Sequence, residues 1–228
     1  SKLLWRFLLH NSNGFYYKAE RQQGGFIMSV NKTQNSQKTL NLVAMAMLIA
    51  IEIVLVVTNL GFILVPPISI TILHIPVIIG AIILGWKGGL VMGTSFGLLS
   101  MINATFRGTS PADLAFSPFY SGNPVGSLIM CVGCRMLLGF AAGILFELLS
   151  KKMKSTTLSA VIASFLATLI HTTTVMSCLW LLFPEFSLTF KAVLQTIFAL
   201  NFLVEAGAAV IFAAAFAKVI PMLRKKFG

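Results

Sequence analysis

The chain has 228 residues, 57% of them hydrophobic and only 10% charged, with a mean hydropathy of +0.91. So few charges cannot cover the surface of a soluble domain, so the composition argues for a membrane protein. The net charge of +11 does not indicate nucleic acid, because the cations sit in short clusters between apolar runs and not on a polar face with interleaved aromatics.

In chain order, residues 1–39 read as a polar, irregular amino-terminal extension on the cytoplasmic side. Lys2–His10 is a short apolar-basic patch suited to a membrane surface, and no small-residue cleavage site follows it. Met28 is a candidate natural start, and Asn31–Lys38 is a solvated lead-in. A membrane domain over 40–220 follows, and a basic cytoplasmic tail over 221–228 closes the chain. A membrane-spanning helix needs about 20 mostly apolar residues. Runs near that length cover Leu40–Leu60, Ile68–Gly85, Leu90–Ala104, Gly126–Leu149, Thr157–Phe183 and Ala192–Ile220. Glycine and two prolines break the chain after the first run. His74 and Pro76 predict a bend near the start of the second, and Trp86–Gly89 reads as a tight turn. Gly93 and Gly97 make the third run suited to close helix packing. The predicted fold class is therefore an all-α membrane protein, a six-transmembrane-helix bundle. No strong internal repeat points to an inverted-repeat carrier. Six spans put both termini on one side, with Lys87 and the Lys151–Lys154 cluster. The other side carries only Arg107 and Lys191 as cations, so the positive-inside rule makes both termini cytoplasmic.

Ionisable groups inside a bilayer cost at least ~2.5 kcal/mol and are functional candidates by default. At ~1.5 Å rise per residue, Glu52, Arg135, His171, Asn201 and Glu205 all fall roughly 12–20 Å below the outer helix ends, and Asn59, Asn103 and Arg107 lie at the mouth. Five helices thus send polar groups to one outer-half layer. The long 105–125 segment adds Tyr120 and Asn123, and loops of this length in compact bundles are often functional. Arg107 is an always-charged fork suited to a carboxylate, with Phe116, Phe119 and Tyr120 as a lid or an interfacial aromatic belt. Structural alternatives stand beside these readings: Arg135 neutralising Glu52 or Glu205, His171 bonding a carbonyl or Thr172–Thr174, and Asn103 and Asn201 tying helices together.

Cys131 and Cys134 form a C-x-x-C pair inside an apolar run with no second ligand pair, so no metal site is expected and small apolar filler is the better reading. There is no phosphate-binding G-x-x-x-x-G-K-[ST] loop, no H-E-x-x-H and no nucleophile elbow, and no catalytic residues are expected.

Ala46 and Ala50 share one helix face, which lets another helix approach closely. With this A-x-x-x-A spacing, the stretches His74–Ser100 (HIPVIIGAIILGWKGGLVMGTSFGLLS) and Asn103–Tyr120 (NATFRGTSPADLAFSPFY) resemble the substrate-binding membrane subunits, or S components, of energy-coupling factor (ECF) vitamin transporters. The pantothenate-type subunits are the most similar, over roughly residues 38–226. The resemblance implies a six-helix bundle binding a vitamin near the outer face of a bacterial plasma membrane. It implies that Ala46 and Ala50 contact a shared transmembrane coupling protein driven by two ATP-binding cassette ATPases. ATP and Mg would then reside in those partners, with no cofactor and no enzymatic activity in this chain. The loaded subunit is expected to reorient in the membrane. Pantothenate fits the polar layer: an arginine for its carboxylate, asparagines for its amide and hydroxyls, aromatics for its methyls. The expected ligand-binding set is Asn59, Asn103, Arg107, Tyr120, Asn123, Arg135, His171, Asn201 and Glu205. Hydroxymethylpyrimidine, pyridoxine or another vitamin remains open as ligand. A membrane enzyme using His171 and Glu205, a stand-alone ion-coupled carrier and a structural scaffold are the rival classes.

Overall fold

The structure, a computed structural model, describes residues 8–10, 16–22, 25–31, 34–63, 70–108, 111–184 and 200–217. The chain divides into two compact units, residues 1–44 and 45–228.

In the first unit, β1 (Leu8–His10), β2 (Tyr16–Gln22) and β3 (Gly25–Asn31) form an antiparallel sheet in the order β1-β2-β3, with Leu9 opposite Tyr17 and Gln22 opposite Gly25. This corrects the reading of residues 1–39 as irregular. Tyr16, Tyr17, Phe26, Ile27 and Val30 favour strands, but the polar residues between them dilute any clean alternation.

The second unit is helical apart from one short strand pair. Helix α1 (Gln34–Val57) enters it at Met45 and turns the stripe Met45, Leu48, Ile49, Glu52 and Val56 to the core, with Glu52 and Val56 buried and the others half-buried. These positions recur at helical spacing, so one face is covered while Ala46, Met47, Ala50 and Ile51 stay exposed. Asn59 adopts φ 61°, a left-handed conformation that asparagine tolerates at helix ends, and it stops α1. Strands β4 (Phe62–Ile63) and β5 (Ile70–Thr71) then pair antiparallel, Phe62 with Thr71.

Helix α2 (His74–Arg107) is 34 residues long and breaks at Gly85, with φ 77° and ψ −179°. That conformation is essentially confined to glycine. The two limbs fold back on each other: a β-carbon on Gly80 would lie 3.0 Å from the Met92 side chain, and one on Gly89 would touch Ala81. The second predicted span therefore starts at His74, not Ile68, because Ile70 and Thr71 are in β5. Pro76 is tolerated because it sits in the first turn, where its missing N–H has no helical partner.

After the short α3 (Pro111–Leu114), α4 (Pro124–Leu128) passes through a π-helical turn (Ile129–Gly133) into α5 (Cys134–Lys152). Helices α6 (Thr156–Leu182) and α7 (Leu200–Ala217) complete the described bundle. Ser155 caps α6 by accepting a hydrogen bond from the Leu158 N–H (3.3 Å).

The second limb of α2 packs on α5 through glycines four apart. A β-carbon on Gly89 would strike the Gly139 backbone, one on Gly93 the Arg135 backbone, and one on Gly97 would lie 2.7 Å from the Cys131 carbonyl oxygen. The small-residue seam read from Gly93 and Gly97 is thus a backbone-to-backbone contact. Leu73, Val77, Ile78, Ile82, Met92, Phe96, Leu138 and Phe146 fill the core around it. Among the described residues, four helices are long and apolar enough to cross a membrane, over Lys38–Val57, His74–Arg107, Pro124–Lys152 and Thr156–Leu182, and Phe202–Phe216 is a shorter apolar helix.

Candidate binding cavity

On the last turns of α2, Ser100, Asn103, Ala104 and Arg107 fall at i, i+3, i+4 and i+7, so they share one face. That face forms one wall of a cavity of about 940 Å³, its mouth included. His171, Thr172, Val175 and Met176 of α6 form another wall, with Glu205 of α7 beside them. Asn59, Phe62 and Thr71 close it from the β4–β5 side, and Asp113 and Phe116 from the α3 segment. The carboxyl-terminal ends of α1, α2 and α6 meet here with the amino-terminal end of α7. The cavity therefore lies at one end of the bundle, and Lys151 and Lys152 in the last turn of α5, with Lys154 just after it, mark the opposite end.

Arg135, only 4% exposed, is fixed on every side but one. Its Nη1 donates to the carbonyls of Met130 (3.0 Å) and Cys131 (3.2 Å), and its Nη2 to Ser100 Oγ (3.0 Å). The π-helical turn disrupts the regular i→i−4 pattern and aims these carbonyls at the guanidinium. Phe96 and Phe116 stand over it at 4.8 and 5.1 Å from their ring centres, close enough for cation–π attraction. The alternative in which Arg135 pairs with Glu52 or Glu205 finds no direct contact: neither carboxylate is among its hydrogen-bonding or ion-pair partners among the described residues. Carbonyl dipoles and ring faces make the direct contacts to the charge.

Glu205 is also engaged. It accepts from the Thr71 N–H and from Thr172 Oγ1, both at 3.2 Å. Fully buried His74 places Nδ1 2.7 Å from the Thr71 carbonyl and Nε2 3.1 Å from that of Glu205, tying the start of α2 to α7. Glu52 lies outside the cavity, fully buried, and accepts from Ser95 Oγ on the second limb of α2. Arg107 donates from Nη1 to the carbonyls of Val56 (2.9 Å) and Val57 (3.2 Å) at the end of α1, where helix carbonyls lack intrahelical partners and a cation is favoured.

Several buried polar atoms of the lining residues have no protein partner among the described residues: Asn103 Oδ1, Arg135 Nε, and both ring nitrogens of His171. Buried polar groups are nearly always hydrogen-bonded. Lining residues from three helices that carry unpaired donors and acceptors, beside apolar Phe62, Val175 and Met176, are the composition of a small-molecule site.

Of the residues predicted from sequence, Asn59, Asn103, Arg107, Arg135, His171 and Glu205 line this cavity. Tyr120 and Asn123 do not. Tyr120 is 61% exposed. Asn123 caps α4 by accepting from the Gly126 N–H (3.0 Å) and donates to the Leu182 carbonyl (3.2 Å), so it anchors the loop to α6. The side chain of Asn201 lies outside the described residues. Sequence reasoning missed Thr71, Ser100, Asp113 and Thr172. Ser100 was within reach, since it precedes Asn103 and Arg107 by three and seven positions on the same helix face. The three thiols are free: Cys131 Sγ is 3.1 Å from the Phe116 carbonyl, and Cys134 and Cys178 are 3.6 Å apart. No group of three or more metal-ligating side chains occurs among the described residues.

Membrane-length apolar helices around a polar cavity at one end define a membrane protein built to hold a small solute. The family of substrate-specific components of ECF transporters matches residues 40–220, and the chain belongs to it. It is 34% identical over 168 residues to the pantothenic acid transporter PanT of Lactococcus lactis subsp. cremoris (strain MG1363), a match covering 70% of this chain and 80% of that protein. Among solved structures, the S-component for biotin from an ECF-type ABC transporter covers 87% of this chain and 97% of its own. Its TM-score of 0.52 at 22% identity is a likeness of fold. The chain is thus a substrate-specific component of an ECF transporter.

Proposed function

We propose that this subunit binds pantothenate in the cavity and carries it across a bacterial plasma membrane. Partners would be a transmembrane coupling protein and two ATP-binding cassette ATPases, which hold the ATP and Mg. The gathering of Asn103, Arg107, Arg135 and His171 from three helices around one cavity carries the proposal. The 34% identity to a pantothenic acid transporter supports the choice of ligand. Pantothenate joins a carboxylate to an amide, two hydroxyls and a gem-dimethyl group. Arg107 at the mouth suits the carboxylate. Asn103 Oδ1 can accept from a hydroxyl or the amide N–H, and His171 can donate to or accept from the same groups. Phe62, Val175 and Met176 suit the methyls. Glu205, already occupied by Thr71 and Thr172, serves the wall better than it would serve as a catalytic base.

In the six-span reading, α1, the second limb of α2, α4–α5 and α6 are each long enough to cross the membrane, and the first limb of α2 and α7 are shorter helices of the two remaining passes. The lysine cluster at the end of α5 supports a cytoplasmic placement of that end, with the cavity outward and both termini inside.

Native mass spectrometry and equilibrium titration of the purified chain against a vitamin panel test the ligand. Pantothenate is expected to be retained and to bind most tightly. Selective retention of biotin, pyridoxine or hydroxymethylpyrimidine would overturn the assignment.

A further inference from the structure

Arg107 stands between the cavity and the end of α1. Both hydrogens of its Nη1 are accounted for by the carbonyls of Val56 and Val57. A guanidinium carries five N–H donors in one plane. The edge formed by Nε–H and Nη2–H makes no hydrogen bond among the described residues and is the edge that meets a carboxylate in a bidentate fork. From Met45 onward, α1 has only two side-chain hydrogen-bond ties to other elements among the described residues: Ser95 to Glu52, and Arg107 to the last carbonyls. The end of the helix is thus held by a partly exposed side chain that also faces the cavity.

We propose that Arg107 bridges a bound carboxylate to the end of α1, so that filling the cavity stiffens the last turn of α1 and the turn after it. The proposal rests on the pantothenate reading. A carboxylate on the open edge restricts the guanidinium to one orientation, and the ordering cost met on binding then benefits the two carbonyl bonds on the other edge. The affected amides are identifiable: Thr58 N–H bonds Val54 O (2.9 Å), Asn59 N–H bonds Val56 O (3.1 Å) and Gly61 N–H bonds Leu55 O (2.8 Å). Val56 O is shared between Asn59 and Arg107, so strengthening one bond steadies the turn that holds the other. Arg107 is here a positioning residue for α1 as well as a ligand contact.

Hydrogen–deuterium exchange of the full chain in lipid nanodiscs, followed over residues 54–62, tests this. The probes are saturating pantothenate and saturating panthenol, which keeps the amide, hydroxyls and methyls and replaces the carboxylate by an alcohol. Pantothenate is expected to slow exchange at these amides by at least about fivefold, the low end of ordinary site-to-site coupling, and panthenol at matched occupancy to leave it nearly unchanged. Arg107→Lys keeps the charge but not the fork, and should lose the protection under saturating pantothenate. Equal protection by both compounds, or none by bound pantothenate, overturns the bridge and leaves the ligand assignment standing. Failure of pantothenate to bind overturns both. The comparison of the two compounds uses the unmodified chain, so a poorly folding Lys variant does not decide it.

Discussion

Two arginines reach the cavity, and their surroundings give them different work. Arg135 is enclosed by two carbonyls, a serine hydroxyl and two phenylalanine rings. Arg107 makes bonds from one nitrogen and is exposed at the mouth. Hydrogen bonds to charged groups contribute about 1.5–3 kcal/mol each. Arg135→Ala should therefore lower the thermal stability of the ligand-free protein by at least about that amount. Arg107→Ala should change stability less and weaken pantothenate by about 2–5 kcal/mol, the range for truncating one member of a charge pair. Thermal unfolding in detergent and titration calorimetry separate the two effects, and equal losses in both assays for both variants would contradict the division. His171 presents the opposite balance. Its ring nitrogens have no protein partner among the described residues, in a site where an unpaired polar group costs about 1–3 kcal/mol. His171→Leu should weaken the ligand by about that amount without lowering the stability of the ligand-free chain. A parallel fall in stability would make His171 a packing residue. The cost of burying charge made Arg135 conspicuous in the sequence, but its partners were not legible. They are main-chain carbonyls turned by a π-helical stretch, and no residue type announces such a turn. Asparagine serves equally as ligand donor and as helix cap, and for Asn123 only its place one residue before Pro124 favoured the cap that the structure shows.

At the scale of elements, the close pairing of the second limb of α2 with α5 sets where Ser100, Asn103 and Arg107 stand relative to Arg135. Gly89, Gly93 and Gly97 let the two backbones meet. Gly93→Val would drive a branched side chain into the Arg135 backbone, which cannot yield as a flexible side chain can. Overpacking ordinarily costs about 1–3 kcal/mol, and this change should cost at least that and weaken ligand binding as well, because it displaces Arg135. Thermal unfolding and titration of one sample check both, and a variant with unchanged stability would refute the seam. The glycine spacing and the apolar runs for α1, α2, α5 and α6 were readable because membrane burial demands long apolar segments and close packing demands small residues at i and i+4. The start of α2 was not, since Ile68–Thr71 is as apolar as the helix after it and only pairing with β4 makes Ile70 and Thr71 a strand. The amino-terminal strands were missed because their branched and aromatic residues are interleaved with polar ones.

For the whole molecule, the polar cavity at one end and the basic cluster at the other divide the bundle into a binding end and an anchoring end. Helix α1 links this division to the proposed partner. Its inward face turns Met45, Leu48, Ile49, Glu52 and Val56 to the core, while Ala46 and Ala50 lie outward with no side-chain bulk. Lipid alone does not require small residues there, whereas a helix packing closely against α1 does. Ala46→Leu and Ala50→Leu add apolar volume to an exposed face, so neither disturbs the core nor exposes a polar group to hydrocarbon. Pantothenate affinity should stay within about 0.5 kcal/mol of the parent, the usual range for surface substitutions. Uptake in vesicles containing the coupling protein and both ATPases should fall at least about tenfold, which corresponds to ~1.4 kcal/mol of lost association when the partner is limiting. The double variant should lose more than either single change, because the two alanines sit one turn apart on the same contact. Normal uptake with leucine at both positions would place the partner on another face of the bundle. Loss of ligand binding in the same variants would instead show that the outward face of α1 contributes to the cavity.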